Sequence, residues 1–300
     1  MLAGLRTFLV MWAVPLPRDF DQVWFAARAV LHGRDPYSLI GPHREFFFNY
    51  NLFYPLTAAV AAVPLAPLPT RCADVLFVAI GGACFAWALM ERGYEPLVGF
   101  MGAGMVFAAE VAQWSPLLAA SLVITPLGFL YAAKPTIGAA LFVARPSWWP
   151  IIGGVVLGGL AFALQPHWFE HWLRELSAKP PTPGAPAPYL LPLLQPGGLL
   201  VLLGLLRWKR RDARLLVALA CVPQTMLLYE TTPLFLIPRT WKEAGLLVLL
   251  SYAVPIYVGY ATNGSSAEPR YIYESAKAIT LAMYLPLTAL VLRRPNEAEV

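Results

Sequence analysis

The chain has 300 residues, of which 58% are hydrophobic and only 13% charged, whereas soluble domains carry about 25% charge, so a water-soluble globule is excluded. Apolar stretches recur from the first residues to Leu292 without a long polar block, and mean hydropathy is +0.59; this predicts one integral membrane domain over 1–294 with a short polar tail, 295–300. The net charge of +5 gathers at the ends of apolar runs, the mark of membrane orientation and not of nucleic-acid binding.

A crossing needs about 20 apolar residues. On that ruler the candidate spans fall at 2–17, 52–68, 73–90, 96–112, 115–133, 148–164, 189–206, 213–237, 244–261 and 274–292. They predict an all-α polytopic transmembrane bundle of about nine to eleven spans. Leu2 to Leu16 lacks a small-x-small cleavage site before Arg18 and reads as a retained first helix.

Between the first two spans, Phe20, Val23, Trp24, Ala27, Val30 and Leu31 recur at helical spacing on one face. They predict an amphipathic helix over 20–33, lying on the membrane within an external loop, 18–51. Asp19 stands where an N-cap belongs, with Gln22 three residues on, and His32-Gly33 ends the helix before the turn Asp35-Pro-Tyr37. Asp19 has two readings. It caps the helix, or it is a carboxylate at the water–lipid boundary that serves as general base toward a hydroxyl, with a pKa tuned by partial burial.

Farther along, Glu110, Lys134 and Glu230 lie in or beside apolar runs, where an ionisable side chain is expensive and is a functional candidate by default. The alternatives are mutual neutralisation between helices and snorkelling to the interface. Gln113-Trp-Ser-Pro116 reads either as a loop or as a polar break lining a site. His167 and His171 have a metal-binding spacing but no third ligand, so an interfacial helix anchored by Trp168 and Trp172 is expected there, and nothing demands a metal. Cys72, Cys84 and Cys221 lack CxxC spacing and read as packing residues. Pro116, Pro126, Pro135, Pro223, Pro233, Pro255 and Pro286 predict kinked and broken helices, tolerated where freed backbone faces protein or a wet cavity.

Arg207, Lys209, Arg210, Arg211 and Arg214, together with Arg293 and Arg294, are assigned to the cytoplasmic side, which makes the C-terminus cytoplasmic and the Pro-rich connector at 179–188 external. That parity needs 213–237 to be a hairpin broken near Pro223. It also needs Thr136 to Ala144 to act as a short crossing, or one of the spans to be re-entrant.

The pattern Asp19-Phe-x-x-Val-Trp-x-Ala-Ala-Arg-Ala-Val-Leu-x-Gly-x-Asp-Pro-Tyr37, followed by Phe53-Tyr-Pro55 and Ala66-Pro-Leu68, resembles the opening of glycosyltransferase family 87. These are membrane mannosyltransferases of the glycosyltransferase-C superfamily. The resemblance runs on through Gln113, where the family shows Gly-Gln-x-Asn, through Lys134-Pro135 for its Lys-Pro element, and from Pro223 to Tyr229 for Pro-x-Ser-Trp-x-His-Tyr. This chain departs from the pattern at Leu56, where a second proline is usual, at Ala112, where glycine is usual, and at Leu228, in the place of the histidine.

The resemblance implies a glycosyltransferase-C-like bundle in a bacterial cytoplasmic membrane. It implies transfer of a hexosyl unit, mannose above all, from a polyprenyl-phosphate donor to a lipid-linked or glycan hydroxyl at the external face, with inversion and without a metal or further cofactor. Asp19 would be the base and Asp21 its reserve. Arg28 or Lys134 would stabilise the departing phosphate, and Tyr54, Glu110, Gln113 and Tyr229 would contact donor or acceptor. The competing expectation is a non-catalytic membrane protein, either a lipid-carrier transporter or an inactive relative serving as an assembly partner.

Overall fold

The structure is a computed structural model that describes residues 18–177, 190–225, 227–265 and 270–296. The expected first span and the Pro-rich connector lie outside the described residues. The structure is 73% helix and 2% strand, hence all-α. Its helices are α1 (Asp19–Leu31), α2 (Pro36–Leu39), α3 (Leu56–Ala62), α4 (Thr70–Leu89), α5 (Ala103–Glu110), α6 (Ser115–Ala120), α7 (Pro135–Ala144), α8 (Trp149–Leu164), α9 (Trp168–Ser177), α10 (Arg211–Ala220), α11 (Trp241–Ala261) and α12 (Tyr271–Arg293), the last with a π-helical turn at Thr280–Tyr284. Among the remaining elements, 3-10 helical pieces occupy Glu95–Met101, Thr125–Ala133, Gly198–Arg207 and Leu228–Leu236, and two short strands, Ile40–Gly41 and Phe46–Phe47, pair in parallel.

Among the described residues only α4, α11 and α12 are long and apolar enough to cross a membrane; α8 and α9 make a fourth span if the pair, bent by 97°, is counted as one. Among the described residues, the apolar runs expected as spans comprise three or four long helices and a set of shorter apolar pieces. Proline explains much of the difference. Pro116, Pro126 and Pro135 each stand in the first turn of a new helical piece, where the missing N–H costs nothing and the fixed φ favours a start. Pro255, by contrast, sits inside the uninterrupted 21-residue α11.

The pieces run between two distinguishable ends. At one, Arg211 pairs with Glu91 at 2.8 Å and donates to the Leu122 carbonyl at 2.9 Å. Arg214 reaches the Ala144 carbonyl, and Arg294 pairs with both Asp212 and Glu243 at 2.7 Å. Arg239 lies 3.7 Å from Asp212. Although burial works the other way, hydrogen bonds from Arg210 and Arg294 hold the Asp212 carboxyl below the usual carboxylate range. The opposite end carries the start of α1, Tyr54, Gln113 and Lys134.

This geometry resolves several apolar runs. α10 and Leu228–Leu236 form a hairpin: α10 leaves the basic end, the chain breaks at 221–225, and Leu228–Leu236 returns to Arg239. At the break Leu190 and Gln224 exchange backbone bonds of 2.7 and 2.9 Å. Residues 115–133 form a second hairpin, and 52–68 turns back to α1, the carbonyl of Leu68 accepting from Trp24 Nε1 at 3.1 Å.

Helix α1 packs its apolar face on protein, where the sequence suggested lipid. Phe20 stacks on Phe77 of α4 at 4.0 Å, and Val23, Ala27 and Val30 are buried, while Leu31 is exposed. Each large side chain so covered contributes about 1.5–3 kcal/mol. Gly33, at φ +69°, ends the helix. Lipid is met elsewhere, by outward side chains such as Val155 of α8 and Leu249 and Ile256 of α11, each more than 70% exposed.

One close approach sets the bundle's middle. A Cβ on Gly153 of α8 would fall 1.9 Å from the Phe129 carbonyl oxygen, so Gly153→Ala is expected to push α8 off Thr125–Ala133 at a cost of about 1–3 kcal/mol, read as a lower melting temperature of the detergent-purified protein.

Candidate active site

The start of α1 frees Asp19 from the capping role that the sequence allowed. Arg18 is the N-cap, and Asp21 in the first turn reaches back to it, its Oδ2 accepting from the Arg18 backbone N–H at 2.5 Å. The backbone of Asp19 is tied across the bundle instead, donating to the Val111 carbonyl at 3.1 Å. At that crossing point the chain turns sharply: Ala112 has φ +52°, in the left-handed region, and Gln113 N–H bonds back to the Ala108 carbonyl at 2.8 Å. A side-chain-bearing residue there costs about 1–2 kcal/mol relative to glycine, and the turn sends Gln113 toward α1.

Gln113 then joins two elements. Its Nε2 donates to Asp19 Oδ2, and its Oε1 accepts from Tyr54 OH at 3.2 Å and from the Trp114 N–H at 3.3 Å. The accepted bonds fix the amide's orientation, so that the N–H faces the carboxylate. Asp19 is partly open to the surface. Burial pushes its carboxyl up from 3.8 to about 6, Lys134 and Gln113 pull it down, and Glu230 and Asp21 add to the rise.

Lys134 stands at the proline-started junction between Thr125–Ala133 and α7. Its Nζ is 3.0 Å from Glu230 Oε1 and 4.6 Å from the centre of the Tyr229 ring. Glu230 is only 2% exposed and Lys134 12%, so this pair is a true interior ion pair, the mutual neutralisation anticipated for these residues. The Tyr229 hydroxyl bonds Thr225 Oγ1 at 3.1 Å.

The structure thus brings Asp19, Tyr54, Gln113, Lys134 and Tyr229 to one place, with Glu230. It places three other candidates differently. Asp21 is buried beside Asp74, its carboxyl raised by burial against the lowering effect of Arg18 and Asp74. Glu110 meets the site through its main chain, the carbonyl accepting from Arg18 Nε at 2.9 Å. Arg28 stacks over Trp24 at 4.9 Å on the exposed side of α1, nine residues and roughly 13 Å along the helix from Asp19. The two imidazoles serve separately: His171 Nδ1 lies 2.9 Å from Asp35 Oδ2, while His167 is exposed beside Glu170.

Two residues that position the site were not foreseen. Arg18 holds the Glu110 carbonyl and lies 3.6 Å from Asp74 Oδ2, so it clamps α1, α4 and the 110–113 turn together. Asp74 carried a signal, being a fully buried acid inside the apolar run 73–90.

What these elements make is a helical membrane protein that presents a half-buried carboxylate, oriented by an amide and flanked by an ion pair, at one end of its bundle. No family model matches the chain, and no curated protein or solved structure matches it.

Proposed function

We propose that the protein is a glycosyltransferase-C-like membrane enzyme that moves a hexosyl unit, mannose above all, from a polyprenyl-phosphate donor to a lipid-linked or glycan hydroxyl. The reading carries with it a polytopic bundle in a bacterial cytoplasmic membrane, the basic end and C-terminus in the cytoplasm and the Asp19 end outside. It rests on one observation above the rest: the acid that the family resemblance marks as the base is freed from helix capping and held by Gln113 with its proton affinity set near neutrality. In the reaction Asp19 takes the proton of the acceptor hydroxyl as its oxygen bonds the anomeric carbon. The bond from that carbon to the phosphate oxygen breaks, the configuration inverts, and polyprenyl phosphate leaves with the bonding pair. Lys134 is the cation nearest to hand for that charge.

The test is turnover by purified protein supplied with radiolabelled polyprenyl-phosphate mannose and membrane lipid acceptors; absence of both transfer and donor binding would overturn the proposal. A pH profile sharpens it. Below about 6 Asp19 holds its proton and cannot act as a base, so the rate is expected to climb tenfold per pH unit up to about 6 and to level off above. Stability moves oppositely. A carboxyl whose folded pKa exceeds its unfolded value stabilises the fold fully below about 4 and loses that contribution as pH rises through about 6. Rate and melting temperature should therefore change in opposite directions across the same window.

One observation favours a second reading. Lys134 is already neutralised by Glu230, which leaves less charge for a phosphate and fits a non-catalytic lipid-carrier transporter or assembly partner. Donor binding without turnover, or co-purification with other membrane proteins in the absence of binding, would favour it.

A further inference from the structure

At the Asp19 end, the loop that follows α1 and helix α9 border an open cavity of about 320 Å³ lined by Asp35, Tyr37, Arg44, His171, Arg174 and Glu175. Its walls are fixed in advance. His171 is joined to Asp35 at 2.9 Å, Arg44 Nη2 to Glu175 Oε1 at 3.1 Å, and Arg44 Nη1 bonds the carbonyls of Tyr37 and Ile40. These bonds cross-link two segments remote in sequence, and α9 is itself anchored by Trp172 Nε1, which donates to the Phe53 carbonyl at 2.9 Å. The volume lies at the small end of the range for ligand pockets, about 300–1,000 Å³.

The lining selects among ligands. Two guanidinium groups face two carboxylates, so the charge balances and neither a phosphate nor a free cation is favoured. What remains is a dense set of oriented donors and acceptors: guanidinium N–H groups, the second imidazole nitrogen, and carboxylate lone pairs. A neutral molecule with many hydroxyls, each donating once and accepting, satisfies such a set. The cavity also connects to the reaction site: Tyr37 OH donates to the Tyr54 carbonyl at 3.1 Å, Tyr54 OH to Gln113, and Gln113 to Asp19.

We propose that this cavity is a binding subsite for a neutral, polyhydroxylated sugar headgroup, that of the acceptor. Only the word acceptor rests on the functional reading given above; the binding itself stands on the cavity. The full-length protein in phosphatidylcholine nanodiscs, free of glycoside detergent, is titrated with methyl α-mannoside and, separately, with inorganic phosphate, and saturation-transfer NMR reads the bound sugar protons. The sugar is expected to bind and phosphate not to displace it. Glu175→Gln and the exposed-site variant Arg174→Ala should each weaken sugar binding by about tenfold. No transfer to the sugar in wild-type protein, equal transfer in both cavity variants, or displacement by phosphate would each overturn the inference. Sugar binding without donor turnover would leave this subsite standing and remove the proposed reaction; turnover without sugar binding would do the reverse.

Discussion

Asp19→Asn is expected to lower the transfer rate by about 10²–10⁴-fold, the usual contribution of a positioned base, while leaving the protein folded. The amide matches the carboxylate in size, and with its own oxygen turned toward Gln113 Nε2 it keeps the same hydrogen bond. It also removes a charge that burial disfavours. Asp19 is raised from 3.8 to about 6, so after discounting for its partial access to solvent the variant should gain on the order of 1–2 kcal/mol near pH 7. Activity lost together with a higher melting temperature separates a missing base from a damaged fold. Full activity in Asp19→Asn would remove this residue from the chemistry.

The second large effect concerns the ion pair beneath it. Lys134→Met leaves Glu230, 2% exposed and with Oε2 bonded to nothing among the described residues, buried without its cation. Breaking such a pair from one side costs about 3–5 kcal/mol, and poor yield or a sharply lowered melting temperature is expected. Adding Glu230→Gln should restore most of the loss, because removing both charges avoids the orphaned one. Transfer activity tells the two roles apart. If the double variant folds and still turns over, Lys134 serves architecture alone; if it folds and is inactive, the cation acts on the departing phosphate. Equal instability of single and double variants would contradict the pairing.

The membrane character and the all-helical fold were plain in composition, and α1 with its Gly33 stop was plain in periodicity and local chemistry. The number of crossings was not. A ruler of about 20 residues cannot distinguish one span from two short pieces restarted at a proline, as at Pro126, nor a crossing from a segment such as 52–68 that turns back to α1. An apolar helix face also reads alike whether lipid or protein covers it, which is why Phe20 and Val23 pointed to a membrane surface, whereas Phe20 meets α4 and Val23 is buried in protein.

Within the site, Asp19, Gln113 and Lys134 were marked by their polar chemistry beside apolar runs and Tyr54 and Tyr229 by resemblance to a motif set alone, and no periodicity in the chain predicts that they meet. Capping was ambiguous because Asp19 and Asp21 both stand near the first turn; only the bond from Gln113 shows which carboxylate is released. Arg28 lies apart from this cluster because a helix carries a residue nine positions on well away from its start.

Ala112 carries one further consequence. Its methyl group occupies a backbone conformation, φ +52°, that glycine adopts without penalty, and the bend it makes aims Gln113 at Asp19. The amide's aim is thus held by a bent spring: relaxing it with Gly would make the chain easier to fold and the amide freer to wander, so ease of folding and sharpness of aim are traded against each other at a single carbon atom.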